Sequence, residues 1–277
     1  MSLARLIDAK ELTILGLNSG TSSDGVDLAA VRISDAGGKR IEFIDGVCVP
    51  YPNQLRQAVL KMCDSARVVL DELIYLDNLL GVFFGETAEG FMRRLLKRGV
   101  VVDAIASHGQ TVRHLPRKTK YLTQKVHGTL QIGSLEIIAA LTGTTVVGNF
   151  RQADIALGNE GAPITVHAMA RLFGHSRQSR LIVNVGGMAN YFYFPPGSDP
   201  SVILAADTGP GNVLSDLLCQ HLFKQKYDRD GSHARRGNIS ERLYRSVFRR
   251  ASRSKSRSTG REQFGEQVVG ELIKRGN

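Results

Sequence analysis

LTILGLNSGTSSDGVDLAAVRI, from Leu12 to Ile33, reads as an apolar strand, a turn of small and hydroxylated residues, and a second apolar strand. Glycine lets a backbone come close to a ligand and adopt positive φ, and turn N–H groups that point one way cradle an anion. The same grammar returns at RLIVNVGGMANYFYF, Arg180–Phe194, where Gly186 and Gly187 make the turn. Two such hairpins far apart in one chain predict a duplicated fold that grips a polyphosphate from both sides.

Working outward, the chain reads as mixed α/β. A third strand, IEFIDGVCV (Ile41–Val49), follows the first hairpin. Leu73, Leu76, Leu80, Phe83, Phe84, Phe91, Leu95 and Leu96 then recur at helical spacing, and Lys97, Arg98 and Gly99 close the segment as a helix end. VVVDAIAS (Val100–Ser107) is a buried strand ending at HGQTVRH, and SLEIIAALTG is a short helix capped by Gly143. TTVVGNF is a further strand, and APITVHAMARLFG is a helix with Pro163 in its first turn. The pattern restarts at Arg180 with two strands, a third at Val202–Asp207, and helices after Thr208, around Ser240–Arg250 and around Glu262–Arg275. The order βββα thus appears twice, which predicts a first lobe over residues 1–175 and a second, incomplete lobe over 176–277. A lobe of this kind leaves its sheet with an unpaired edge and an uncovered face. The second lobe is then either a short variant or, as favoured here, part of a longer polypeptide.

At 277 residues, with 42% hydrophobic and 22% charged, the chain has the size and make-up of a globular protein with a sizeable core. No apolar run is long enough to span a bilayer, since GVFFG is short and flanked by charges, so no membrane partner is expected. MSLARLIDAKEL does not read as a secretory leader. Cys48, Cys63 and Cys219 are widely scattered and imply neither a disulfide framework nor a zinc site; a reducing cytoplasm is the expected setting. Much of the net charge of +10 lies in Arg242–Arg261. Its run RRASRSKSRSTGR has no aromatic residue on which a base would stack. A solvated helix end and loop is favoured there over a nucleic-acid surface.

Three constellations carry chemistry. Ser19, Gly20, Thr21, Ser22, Asp24 and Gly25 form the first turn, which lacks the spacing and lysine of a Walker loop. Asp24 is placed to hold Mg2+ directly or through water; the plain alternative is an ordinary hairpin loop. Ser107–Thr111, with Arg113 and His114, follows a buried strand, where ligands of α/β sheets collect. His108 and His114 lack a nearby carboxylate or cysteine to complete a zinc site. They are read as hydrogen-bonding a polar substrate or as structural. Asp207, in DTGPGN, stands between strand and helix, either as a general base or as a helix N-cap. Asn212 is also available as the cap, which releases Asp207.

SGTSSDGVD, ASHGQTVRH, TLQIG, NEGAP, VNVGGMANYFYF, DTGPGN, YDRDG and STGREQFG occur in the order found in anhydro-N-acetylmuramic acid kinases, and the resemblance runs from Leu15 to about Gly265. It implies the duplicated actin-like (ribonuclease H-like) fold of the sugar kinase, Hsp70 and actin superfamily. It also implies an ATP- and Mg2+-dependent kinase that opens the 1,6-anhydro bridge of the muramic sugar and phosphorylates O6, giving N-acetylmuramic acid 6-phosphate for cell-wall recycling. On this resemblance Gly20, Thr21, Ser22, Ser23, Asp24, Gly25, Val26 and Asp27 match the first ATP phosphate segment, and Gly186 with Gly187 the second. Asp207 matches the catalytic aspartate. His108, Gln110, Thr111 and Arg113, with Arg151, Glu160, Gly161 and Asn212, match the sugar side. The chain departs from the usual family pattern at Asn18, Ser23, Asn149 and Glu160, and the glycine-rich adenosine-binding segment of the second lobe is missing. The expected partners are ATP and an amino sugar, with a homodimer left open. A non-catalytic sugar- or nucleotide-binding lobe is the alternative, and a basic nucleic-acid-associated protein is a third class.

Overall fold

The computed structural model describes residues 6, 8–20, 23–34, 40–65, 67–197, 202–252 and 264–276, arranged as two units, Met1–Ile164 and Thr165–Asn277. Each is α/β and contains an antiparallel three-stranded meander.

In the first unit the meander is β1 (Glu11–Ser19), β2 (Gly25–Ser34) and β3 (Arg40–Pro50). Alternation decides its faces: Thr13, Leu15, Leu17 and Ser19 of β1 are buried, with Ala30 opposite Leu15 and Leu28 opposite Leu17. Gly25 sits where β3 crosses closely, and a Cβ there would lie 2.3 Å from the Val49 carbonyl oxygen. Helix α1 (Asn53–Asp64), which is not among the elements expected from the sequence, buries Leu55, Val59 and Met62 at helical spacing. Helix α2 (Leu70–Leu96) lays Leu76, Leu80, Phe84, Ala88, Phe91 and Leu95 into the same core.

The strand expected to stop at Ser107 does not stop there. β4 runs from Ala104 to Tyr121, straight through HGQTVRH. Its first part pairs in parallel with β1 and with β6 (Thr145–Val147), and its second part pairs antiparallel with β5 (Gln124–Ile132). The side chains turn polar at His108 because the strand exchanges neighbours, not because it leaves the sheet. Gly109 makes the exchange at φ +71, and a Cβ on it would meet the Ile132 carbonyl oxygen at 2.8 Å. Helix α3 (Leu135–Thr142) is capped as expected by Gly143 at φ +61, and also by the Ser134 hydroxyl at its start. Helix α4 (Phe150–Ala156) follows β6.

Pro163, at the end of the first unit, is not in the first turn of the next helix: α5, in the second unit, spans Val166–Phe173 with Thr165 before it. β7 (Arg180–Val185), β8 (Met188–Phe194) and β9 (Leu204–Pro210) form the meander. Among the described residues β7 pairs only with β8, and its Leu181, Val183 and Val185 are exposed. The corresponding β1 is flanked on both sides. Helices α6 (Asn212–Phe223), α7 (Glu241–Ser252) and α8 (Glu266–Gly276) share a core of Val213, Leu214, Val268, Val269 and Leu272. The basic stretch begins in α7, where Tyr244 and Phe248 stack at 5.9 Å among Arg242, Arg245 and Arg249, so its helical part does interleave aromatic residues. Residues 253–263 of that stretch lie outside the described residues.

Two glycines test this packing with opposite signs. Gly25→Ala should lose about 2 kcal/mol or more from the clash with β3. Gly90→Ala, inside α2 with nothing within 4 Å of the added Cβ, should gain about 0.5–1 kcal/mol. Thermal unfolding of the two variants beside the parent chain measures both.

Candidate active site

The first turn is held from beneath by a buried polar knot. Ser19, at the end of β1, places its hydroxyl 2.6 Å from Gln110 Oε1 and 2.8 Å from the Gly25 carbonyl oxygen. The Tyr51 hydroxyl donates to Ser19 Oγ at 2.8 Å. Burial raises the Tyr51 phenol well above its ordinary range, so it remains a donor. Gln110 Nε2 donates to the carbonyls of Thr111 at 3.1 Å and Gly20 at 3.4 Å. Both ends of the turn, Gly20 and Gly25, are thereby fastened to β4. Gln110 is 0% exposed with its amide fully engaged. It is placed to shape the turn rather than to touch a substrate, the role that the resemblance implied.

Within the turn, Thr21 and Ser22 lie outside the described residues. Positive φ falls on Ser23 (φ 49) and not on Gly25. The Ser23 amide donates to the Gly20 carbonyl at 3.1 Å. Val26 is buried in the core, so only its backbone can face a ligand, whereas Asp24 and Asp27 are exposed. Asp27 accepts from the Cys48 thiol, which is pushed up to about 11 chiefly by that bond. Among the described residues no group of three or more His, Cys, Asp or Glu side chains is set to hold a metal. An exposed Asp24 still fits Mg2+, which commonly takes one or two carboxylates and completes its shell with phosphates and water.

A second cluster gathers on the same strand. Arg151, from α4, donates from Nε to His108 Nε2 at 2.8 Å and from Nη1 to the Gly161 carbonyl at 2.8 Å. His108 Nδ1 lies 2.9 Å from the Gly109 carbonyl oxygen, which can only accept. The imidazole is therefore neutral, with its proton on Nδ1. Burial holds His108 below the ordinary imidazole range, and the Arg151 charge adds to this. Burial also works against the charge of Arg151, and among the described residues no carboxylate offsets it. Gly161, at φ +75, donates its backbone N–H to Asp154 Oδ2 at 2.8 Å, a positioning role for Asp154 that its sequence neighbours do not signal. Exposed Glu160 raises His114, while burial, the larger effect, lowers it. Ser107 Oγ and His114 Nε2 are buried and have no hydrogen-bond partner among the described residues. Thr111 accepts from Gln131 Nε2 at 3.2 Å, and Arg113 donates to the Ser65 carbonyl.

In the second unit, Gly186 and Gly187 do not have positive φ. Their carbonyls face the start of α6 and accept from the amides of Gly211, Asn212 and Val213 at 2.8–3.1 Å. That helix end is satisfied by the turn, and Gly187 has no atom within 4 Å of where a Cβ would stand. Gly211 is the N-cap, so Asn212 is the first helical residue; its side chain donates to the Val185 carbonyl at 3.4 Å. Asp207 lies in β9 opposite Asn190, half-buried and ahead of the helix, which removes its capping alternative.

Compared with known proteins, the chain falls among the ATP-dependent carbohydrate kinases. It belongs to the anhydro-N-acetylmuramic acid kinase family, whose model matches residues 12–276. The anhydro-N-acetylmuramic acid kinase of Bacillus cereus (strain ATCC 10987 / NRS 248) is 34% identical over 265 residues, covering 95% of this chain and 68% of the relative. That of Bacillus thuringiensis subsp. konkukian (strain 97-27) is 35% identical, covering 95% and 69%. Among solved structures, the chain is similar to a ROK hexokinase from Thermus thermophilus (14% identity, TM-score 0.29, 95% of this chain and 72% of that one). A ROK family protein from Streptococcus pneumoniae TIGR4 stands at 12% identity and TM-score 0.26, covering 95% and 72%.

Removing a partner from the buried knot strands the others. Gln110→Leu should cost about 2 kcal/mol and Tyr51→Phe about 1 kcal/mol, read from urea unfolding midpoints. The pH dependence has a definite sign. The folded-state pKa values of His108 and His114 lie below the ordinary 6.5. The unfolded chain therefore takes up protons first as pH falls. This contribution is fully present above about pH 6.5 and lost as pH drops below it. Tm should fall between about pH 7.5 and about pH 5.5, and the slope should flatten in His108→Gln.

Proposed function

We propose that the chain binds ATP and a 1,6-anhydro-N-acetylmuramic sugar and converts them, with water, into N-acetylmuramic acid 6-phosphate and ADP. The observation that carries this reading is the family match over residues 12–276, which takes in both glycine turns, the His108–Arg151–Gly161 cluster and Asp207. The backbone of the Gly20–Asp27 turn and of Gly186–Gly187 serves the ATP phosphates. Asp24 holds Mg2+, which when bound neutralises phosphate charge during transfer. Arg151, a half-buried guanidinium with no acidic partner among the described residues, suits the carboxylate that muramic sugars carry. His108, locked neutral by Arg151 and Gly109, keeps that cation oriented.

In the chemical step a water molecule adds to the anomeric carbon while Asp207 accepts one of its protons. The bond from that carbon to the bridging oxygen breaks, and the bridging oxygen, now O6, takes the γ-phosphoryl group of ATP as ADP leaves. Such a reaction belongs to the cytoplasmic recovery of cell-wall sugars. Asp207→Asn should lower turnover of the anhydro sugar by about 100-fold or more, with ATP binding retained. Phosphorus NMR of the 6-phosphate beside nucleotide titration measures both. Parent-like turnover in the variant overturns the mechanism, and sugar binding without turnover in the parent chain favours the non-catalytic alternative.

A further inference from the structure

The outer part of the β4–β5 pair is a ribbon in which all of residues 117–126 are exposed. Thr119 pairs with Val126, Lys120 with Lys125 and Tyr121 with Gln124, leaving Leu122 and Thr123 as the turn. Arg117, Lys118, Lys120 and Lys125 supply its charge, and no acidic residue lies between Leu115 and Gly128.

Local choices here run against the ribbon's own stability. A two-stranded hairpin without a packed face is marginal in water. Lys120 directly faces Lys125, and like charges in register repel. Leu122 occupies the left-handed region at φ 50, where two-residue turns favour asparagine or glycine. That leucine is 80% exposed, and Tyr121 beside it is 69% exposed. Broken local rules with no local gain mark a surface kept for something else.

The order of side chains along the ribbon says what it fits. Tyr121 and Leu122 are outermost, Lys120 and Lys125 lie one pair behind them, and Lys118 and Arg117 come next. That sequence of depths matches a bilayer interface, where apolar and aromatic groups enter the headgroup layer and cations stay with lipid phosphates. A polynucleotide has no use for a leucine at the tip, and one tyrosine is a poor stacking platform. We propose that this ribbon docks the protein on an anionic phospholipid surface. Among the described residues no helix is long and apolar enough to cross a membrane, and a surface attachment of this kind requires none.

The test is co-sedimentation of the full chain with vesicles of phosphatidylcholine alone or mixed with phosphatidylglycerol, with Tm recorded alongside. Binding should require the anionic lipid and weaken with salt. Leu122→Asn relieves the turn, and Lys120→Glu replaces repulsion across the ribbon with attraction. Both should keep or raise Tm while weakening vesicle binding, in Lys120→Glu by about fivefold or more. Equal binding to both vesicle types, unchanged binding in both variants, or capture of a single-stranded RNA probe with no vesicle binding overturns the proposal.

Discussion

A carboxamide with no access to water has to find its partners inside the protein, and Gln110 is such a group. Its oxygen reaches Ser19 at 2.6 Å and Tyr51 at 3.3 Å, and its nitrogen reaches two main-chain carbonyls. Through these bonds β1, the start of β2, the chain leaving β3 and the middle of β4 hold one another in place. The two ends of the first turn, Gly20 and Gly25, are both tied into this knot. The knot also fixes where β4 exchanges one neighbour for another, and hence where the His108–Arg151 cluster stands.

The second unit solves a related problem with main-chain atoms alone. A helix start leaves amide groups without internal partners. Here Gly186 and Gly187 turn their carbonyls toward it, so no capping side chain is needed and α6 begins at Asn212. The close approach explains Gly211, where a Cβ would stand 2.2 Å from the Gly186 carbonyl oxygen, whereas Gly186 and Gly187 have neither positive φ nor a crowded Cβ position. The absence of crowding at Gly187 leaves the outer side of the same turn approachable.

Much of this was legible from residue patterns. Apolar runs on either side of a glycine-rich turn mark both hairpins, and the leucines and phenylalanines from Leu73 to Leu96 mark α2 because their spacing is unmistakable over so long a run. What escaped was polar or short. β5 escaped because QKVHGTLQI alternates weakly and carries few apolar residues. α4 has seven residues and starts from Asn149 in the left-handed region with no capping side chain. His108 and Gln110 look alike in sequence as polar residues after a buried strand. Gly109 separates their fates, leaving one in an arginine cluster and the other sealed beneath a turn. No property of a lone glutamine announces that its partners lie 91 residues earlier.

The length of β4 has a consequence for how such a chain can change over generations. Side chains on β4 alternate between faces except where Gly109 and the ladder irregularities shift them, so inserting or deleting one residue before Leu115 would move its neighbours off their faces and break the ladders on both sides. Beyond Pro116 every residue of the ribbon's first strand is exposed, and residues can be added or removed in pairs at little cost to the rest. Changes in length are thereby tolerated best at the far end of one strand, while the part that holds Gln110 and the His108–Arg151 cluster accepts none.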